Sequence, residues 1–197
     1  MPLYQPRALP PHSRLIAAWA KQAGIVCGYL VGGALRDADN DRPIRDYDVF
    51  VETPKGESPS TVFARLSGVT DNHTRSGDRY QFKLPVPDGT TIDIDLNFFS
   101  RLHSPETQAG SAPVGISGIV MDLSDGKVYA THSYTKDVAA KTIGLLGGGE
   151  DDIEAMQHAD KVQAKYGWPI VDSWSGRLIR PALAVPVISD RTLTPVS

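Results

Sequence analysis

A chain of 197 residues with 41% hydrophobic and 22% charged residues carries enough apolar material for one domain with a real core and a short appendage. Its formal net charge of −3 argues against a broad nucleic-acid-coating surface, while leaving room for a local basic groove. The single cysteine, Cys27, excludes a disulfide within the chain, no apolar run reaches the ~18 residues of a membrane span, and the N-terminal residues have no signal-peptide pattern, so a cytoplasmic protein is expected.

Residues 1–11 are Pro-rich and read as loose. Ser13 caps a predicted helix that carries Leu15, Ile16, Trp19, Ala20 and Ala23 on one face, and Gly24 ends it. Residues 25–31 form an apolar run that reads as a buried strand, with Cys27 in it as inert packing. Gly32-Gly33 breaks the run. Paired glycines turn the backbone sharply and let a ligand approach bare N–H groups. A short helix over residues 34–38 would set this pair beside its positive end, a plausible phosphate cradle. Arg36 leaves the turn with two readings: a guanidinium matched to phosphate, or an ion pair with Asp37 or another nearby acid. Asp37, Asp39 and Asp41 read as a solvated acidic loop.

A second strand is predicted over residues 47–51, with Asp46 and Asp48 at its mouth. Residues i and i+2 of an extended chain share a face, so two carboxylates stand side by side. Like charges this close are costly without a counter-cation. Hard oxygen ligands suit Mg²⁺, which takes one or two carboxylates plus substrate phosphates.

Ser58-Pro59 opens a predicted helix that runs through Leu66 and stops at Gly68. Residues 71–78 read as a polar loop with His73 on the surface. A hairpin follows, residues 79–85 and 91–99 around Pro87-Asp88-Gly89. Its second arm alternates: Ile92, Ile94, Leu96 and Phe98 face one way, Asp93, Asp95 and Asn97 the other. Residues 101–113 read as a loop, and Ser124-Asp125-Gly126 as a turn between two apolar runs. Residues 147–149 read as a flexible glycine joint. Residues 150–166 read as a helix with Ile153, Met156, Ala159, Val162 and Ala164 apolar. Acids early in it and Lys161 and Lys165 late suit the helix dipole, and Gly167 ends it. Trp168 and Trp174 are expected to anchor this segment, and residues 181–197 to be irregular.

Gly32-Gly33-Ala34-Leu35-Arg36-Asp37, then Arg42-Pro43, then Asp46-Tyr47-Asp48 resemble the head domain of the DNA polymerase beta-like nucleotidyltransferase superfamily. The likeness is greatest to the tRNA nucleotidyltransferase (CCA-adding) and bacterial poly(A) polymerase family. Asp122-Leu123, Asp125-Gly126 and Asp137-Val138 through Ile143 match the end of the same head, so the resemblance covers roughly residues 25–146. It implies an α/β (α+β) fold: a mixed, mainly antiparallel sheet with helices packed on one face. The head would span residues 12–146, a truncated neck-like helical appendage residues 147–180, and a tail residues 181–197.

The resemblance also implies a third carboxylate on a neighbouring strand. Asp95 fits best, and Asp93 on the same face stays open. Asp46, Asp48 and Asp95 (or Asp93) would then hold two Mg²⁺ ions, and Gly32, Gly33 and Arg36 the phosphates. The implied activity is transfer of a nucleotidyl group from a nucleoside triphosphate to a hydroxyl. The acceptor would be an RNA or tRNA 3′ end, a protein hydroxyl or a small molecule. The alternative is a catalytically degenerate nucleotide- or RNA-binding module on the same fold. Two stretches depart from the family. Residues 111–117 hold no Arg-Asp pair where the family has one that helps hold the nucleotide. The helix over residues 150–166 lacks the arginines with which the family selects a base, and no tRNA-gripping body follows. CCA addition by this chain alone is therefore not expected.

Overall fold

The computed structural model describes residues 3–67, 73–76, 79–147 and 151–184. A short strand β1 (Leu3–Tyr4) leads to helix α1 (Ser13–Gln22), then strand β2 (Gly28–Val31), helix α2 (Gly33–Asp39) and strand β3 (Tyr47–Glu52). Helix α3 (Pro59–Ser67) precedes three strands, β4 (His73–Ser76), β5 (Arg79–Pro85) and β6 (Thr91–Phe99). Helix α4 (Pro105–Gly110), a 3-10 turn (Gly115–Ser117), strands β7 (Ile119–Asp122) and β8 (Val128–Ala130), helix α5 (His132–Ala140) and strand β9 (Ile143–Leu145) come next. Helix α6 (Ile153–Tyr166) and a hairpin of β10 (Ile170–Asp172) and β11 (Leu178–Arg180) complete the described residues.

β1 to β8 form one sheet in the order β1-β8-β7-β2-β3-β6-β5-β4. Every neighbouring pair is antiparallel except β3 and β6, so the sheet is mixed and mainly antiparallel. Strand β3 shows why the chain makes a half-buried strand here. Its odd positions, Tyr47, Val49 and Val51, are buried, while Asp48, Phe50 and Glu52 take the other face. The buried face meets Ile16, Trp19 and Ala20 of α1, Val62 and Leu66 of α3, and Ala34 and Leu35 of α2 in one core. In α1 the spacing i, i+3, i+4 puts those three residues on one stripe. A second, smaller cluster of Tyr29, Leu102, Ala109 and Val120 lies on the opposite face, backed by Phe50 and Phe99. Helix α4 supplies Ala109 to it, so helices are not confined to one face as the sequence suggested.

Several local expectations change. Ser13 is the first helical residue of α1 rather than its cap, and it is buried. β2 begins at Gly28, so Cys27 lies just outside the strand, half-buried, with its thiol pKa pushed up by burial. Residues 73–76 pair with β5 as a strand instead of lying in a loop; neither Gly68 nor the side chain of His73 is among the residues described. Residues 105–110 are helical because Ser104 accepts the Thr107 N–H and Pro105 stands at the first helical position.

The segment after residue 147 is not a helix alone. β10 pairs parallel with β9 and antiparallel with β11 in a separate three-stranded sheet. Asp152 caps α6 by accepting the Ala155 N–H at 3.0 Å, and Gly167 (φ 72°) ends it in the left-handed conformation that suits glycine. The helix buries Ala155, Ala159, Val162, Gln163 and Tyr166, whereas Ile153 and Ala164 face outward. Trp168 packs edge-on against Tyr166 at 4.9 Å, but Trp174 is 84% exposed in the β10–β11 turn and anchors nothing. No helix among the described residues is long and apolar enough to cross a membrane.

Candidate active site

The glycine turn sits where β2 passes into α2. Gly32 caps the helix at φ 59°, ψ −110°, a backbone conformation open to glycine and strained for any other residue. Its N–H donates to the Ile119 carbonyl at 3.1 Å, which ties the turn to β7. Gly33 has an ordinary φ, and its bareness matters for space instead. A Cβ on Gly33 would lie 3.7 Å from Nη2 of Arg36 and 3.9 Å from Oδ2 of Asp48. Gly33, the Asp48 carboxylate and one corner of the Arg36 guanidinium therefore come together.

Asp48 is set by the β3 register opposite Val31 on one side and Asp95 on the other. β3 and β6 run parallel, so these directly paired aspartates project from the same face of adjacent strands. Asp95 is 7% exposed and accepts a hydrogen bond from Gln81 Nε2 of β5 at 2.8 Å. Asp93 lies two residues further out on β6, exposed, and pairs with Lys83 at 2.7 Å. Of the two aspartates left open by the sequence, only Asp95 is in register with Asp48. Asp46 precedes β3 and accepts both Nε and Nη2 of Arg45, at 2.8 and 2.6 Å. This pairing is at the protein surface, with the Arg45 side chain 88% exposed, and holds weakly.

The donor set suits a hard divalent cation: oxygen only, from two carboxylates across adjacent strands. Asp48 and Asp95 would hold the ion, with substrate phosphates completing the shell as Mg²⁺ usually requires. Among the described residues, no group of three or more His, Cys, Asp or Glu side chains comes together so as to hold a metal ion by itself.

The acidic stretch after the glycine turn is not solvated as its composition suggested. Asp37 is 4% exposed and Asp39 1%. Helix α2 turns both inward, where donors from distant segments meet them. Asp39 accepts the Tyr4 hydroxyl at 2.8 Å, the Tyr134 hydroxyl at 2.7 Å and the Arg7 N–H at 2.6 Å. Burial, then the bond to Asp39, raises the pKa of both tyrosines, so each stays a donor. Asp37 pairs with Arg36 Nε at 3.0 Å and with Lys165 Nζ at 2.5 Å, and accepts the Tyr166 hydroxyl at 2.8 Å. Arg36 thus makes the ion pair that was one of its two readings, and its guanidinium lies over the Tyr166 ring at 5.5 Å. Its Nη1 donates to Ser117 Oγ at 3.2 Å, and Ser117 is in turn 2.9 Å from His158 Nε2. Burial, then the Arg36 and Lys161 charges, lowers the His158 pKa to about 4, which keeps the ring neutral and able to accept the Ser117 proton.

Sequence reasoning missed Ser117, His158, Tyr166 and Gln81. One signal was present: His158, Lys165 and Tyr166 stand at i, i+7 and i+8, a single stripe of α6. Lys165, read as a partner for the helix dipole, instead reaches Asp37 and the Pro43 carbonyl.

The fold that carries this arrangement, a mixed sheet with helices packed on it, is similar to that of solved CCA-adding enzymes. The Thermotoga maritima CCA-adding enzyme complexed with tRNA superposes with a TM-score of 0.63 at 16% identity, over 87% of this chain and 44% of that one. A CCA-adding enzyme complexed with ATP gives 0.64 at 15% identity, over 88% and 44%. Another complexed with CTP gives 0.62 at 16% identity, over 82% and 40%. The chain therefore spans less than half the length of these structures. No protein-family model and no curated protein matches the sequence.

Proposed function

We propose that the chain is a Mg²⁺-dependent nucleotidyltransferase that joins a nucleotidyl group from a nucleoside triphosphate to the 3′ hydroxyl of an RNA such as tRNA. The observation that carries this reading is the register of β3 and β6, which sets Asp48 opposite Asp95 beside the bare Gly33. The structural neighbours are described with tRNA, ATP and CTP, and this supports an RNA acceptor and a nucleotide donor. In such a transfer the hydroxyl oxygen bonds to the α-phosphorus, the bond to the β-phosphate's bridging oxygen breaks, and pyrophosphate leaves. Asp48 and Asp95 would hold Mg²⁺, which when bound would lower the pKa of the hydroxyl and neutralise charge on the phosphates. The protein's part is positional. Gly32 makes the turn with its own N–H committed to Ile119, the bare Gly33 admits the triphosphate to the backbone, and the Nη2 corner of Arg36 lies on the same side.

A second reading is a nucleotide- or RNA-binding module without catalysis. It is favoured by the inward pairing of Arg36 with Asp37 and Ser117, and by the lack of an Arg-Asp pair in residues 111–117. Incubation with each labelled triphosphate, Mg²⁺ and total RNA or tRNA separates the two. Label on RNA together with released pyrophosphate supports the transferase. Nucleotide binding with neither product supports the module.

A further inference from the structure

We propose that His158, acting through Ser117, positions Arg36 at the glycine turn, so that α6 sets the geometry of the phosphate site from behind. This rests on the nucleotide-binding part of the proposed function.

Arg36 is gripped on three sides. Asp37 holds Nε from α2 itself, Ser117 holds Nη1 from the 3-10 turn, and the Tyr166 ring of α6 lies 5.5 Å from Cζ. These contacts direct the remaining corner, Nη2, toward Gly33, 3.7 Å from where a Cβ would stand. A guanidinium keeps five donors in a fixed plane, so fixing two corners aims the third. Ser117 can serve Nη1 only as an acceptor. Its own hydroxyl proton then needs an acceptor, and His158 Nε2 at 2.9 Å supplies it. That assignment puts the ring proton of His158 on Nδ1. The charged groups acting on His158 are Arg36 from α2 and Lys161 from α6, both cationic, and both favour the neutral ring. A neutral acceptor at this place leaves the Arg36 charge to be met by Asp37 on one side and by an incoming phosphate on the other.

α6 contributes three residues to this arrangement, His158, Lys165 and Tyr166, all on its inward stripe. Ser117 falls in the stretch where the resembled family would carry its Arg-Asp pair. The chain therefore uses that stretch to orient an arginine already present in the glycine turn, instead of adding a second one.

The test measures binding of ATP and of CTP in Mg²⁺ buffer by calorimetry. Ser117→Ala and His158→Phe are each expected to weaken binding about tenfold. His158→Gln, whose Oε1 stands near the place of Nε2 and still accepts the Ser117 proton, is expected within about twofold of the parent. In an Arg36→Ala background, Ser117→Ala and His158→Phe should each change affinity less than about twofold, because the group they orient is gone. Ser117→Ala is a small change that keeps the variant set informative if His158→Phe does not fold. Additive losses in the Arg36→Ala background, or folded Ser117→Ala and His158→Phe proteins that bind like the parent, overturn the inference alone. A parent that binds neither nucleotide overturns the functional reading and this inference with it.

Discussion

Two groups of aspartates lie within one short stretch of chain and meet opposite fates. Asp48 projects from the sheet face that carries Asp95, and Asp46, just before the strand, pairs with the exposed Arg45. Asp37 and Asp39 turn into the interior, where hydroxyls, a backbone N–H, an arginine and a lysine converge on them. The same carboxylate is a candidate ligand in the first group and a structural hub in the second. The difference lies in the neighbours: a carboxylate that faces a second one across adjacent strands is stabilised by a cation, whereas one buried among hydroxyls and cations from distant segments holds those segments together.

The largest expected effect sharpens the first half of this contrast. Asp48→Asn should lower the transfer rate about 10³-fold, which corresponds to about 4 kcal/mol of transition-state stabilisation. Its melting temperature without Mg²⁺ should equal or exceed that of the parent, because one of the facing charges is gone. Added Mg²⁺ should raise that temperature less than it does for the parent. Thermal scans of both proteins with and without the ion check this. Strong destabilisation of the ion-free variant would move Asp48 into the structural group.

Asp39→Ala should show the opposite signature. Two buried tyrosine hydroxyls and the Arg7 N–H lose their acceptor, which should cost about 3 kcal/mol of stability in urea unfolding. Mg²⁺ should not change that loss. An Asp39→Ala protein as stable as the parent would show that water replaces the carboxylate.

A pH dependence follows from His158, whose pKa falls from 6.5 to about 4 in the folded chain. Between those values the unfolded chain binds a proton that the folded chain refuses, so stability falls as pH is lowered. The loss between its ordinary value of 6.5 and about pH 5 should approach about 2 kcal/mol, and His158→Gln should lack that part of the slope. Urea midpoints of the two proteins across this range check the sign and the size. Equal slopes would mean that His158 titrates normally.

The smallest effect is expected at Gly33. An alanine Cβ there would make only ordinary contacts at 3.7 and 3.9 Å, so Gly33→Ala should change stability by less than about 0.5 kcal/mol. It should still weaken nucleotide binding, by about tenfold or 1.4 kcal/mol, by occupying the space proposed for phosphate. Gly33→Val should bind less again while remaining folded. Unchanged affinity in a folded Gly33→Val protein would remove the glycine turn from the site.

What the sequence disclosed divides along the same line. The strand-turn-strand pattern around Gly32, Gly33, Asp46 and Asp48 is local, and period-2 alternation in β6 put Asp93 and Asp95 on one face. The mixed, mainly antiparallel sheet was legible through these elements and their resemblance to a nucleotidyltransferase head. The choice between Asp93 and Asp95 required the β3–β6 register, which couples residues 47 apart in the chain. The interior hub was hidden for the same reason. Asp39 meets Tyr134 across 95 positions and Asp37 meets Tyr166 across 129, and nothing near either aspartate forecasts those donors. Composition made the stretch look like a solvated loop, and tertiary partners decided otherwise. Helix α4 was missed because its six residues are too short to show a period, although Ser104-Pro105 carried a capping signal.

The separation between Asp37 and its partners on α6 has a consequence for the order of assembly during synthesis. Lys165 and Tyr166 emerge from the ribosome 128 and 129 residues after Asp37, and β10, which pairs with β9, emerges later still. Until they arrive, the nascent sheet can present its glycine turn and aspartates, but Arg36 and Asp37 lack the helix that encloses them. Loop closure over so many residues is slow relative to local hairpin formation. The nascent chain therefore completes its acidic face early and its arginine cage late, and a ribosome-stalled chain ending before residue 165 would bind nucleotide less tightly than the released one.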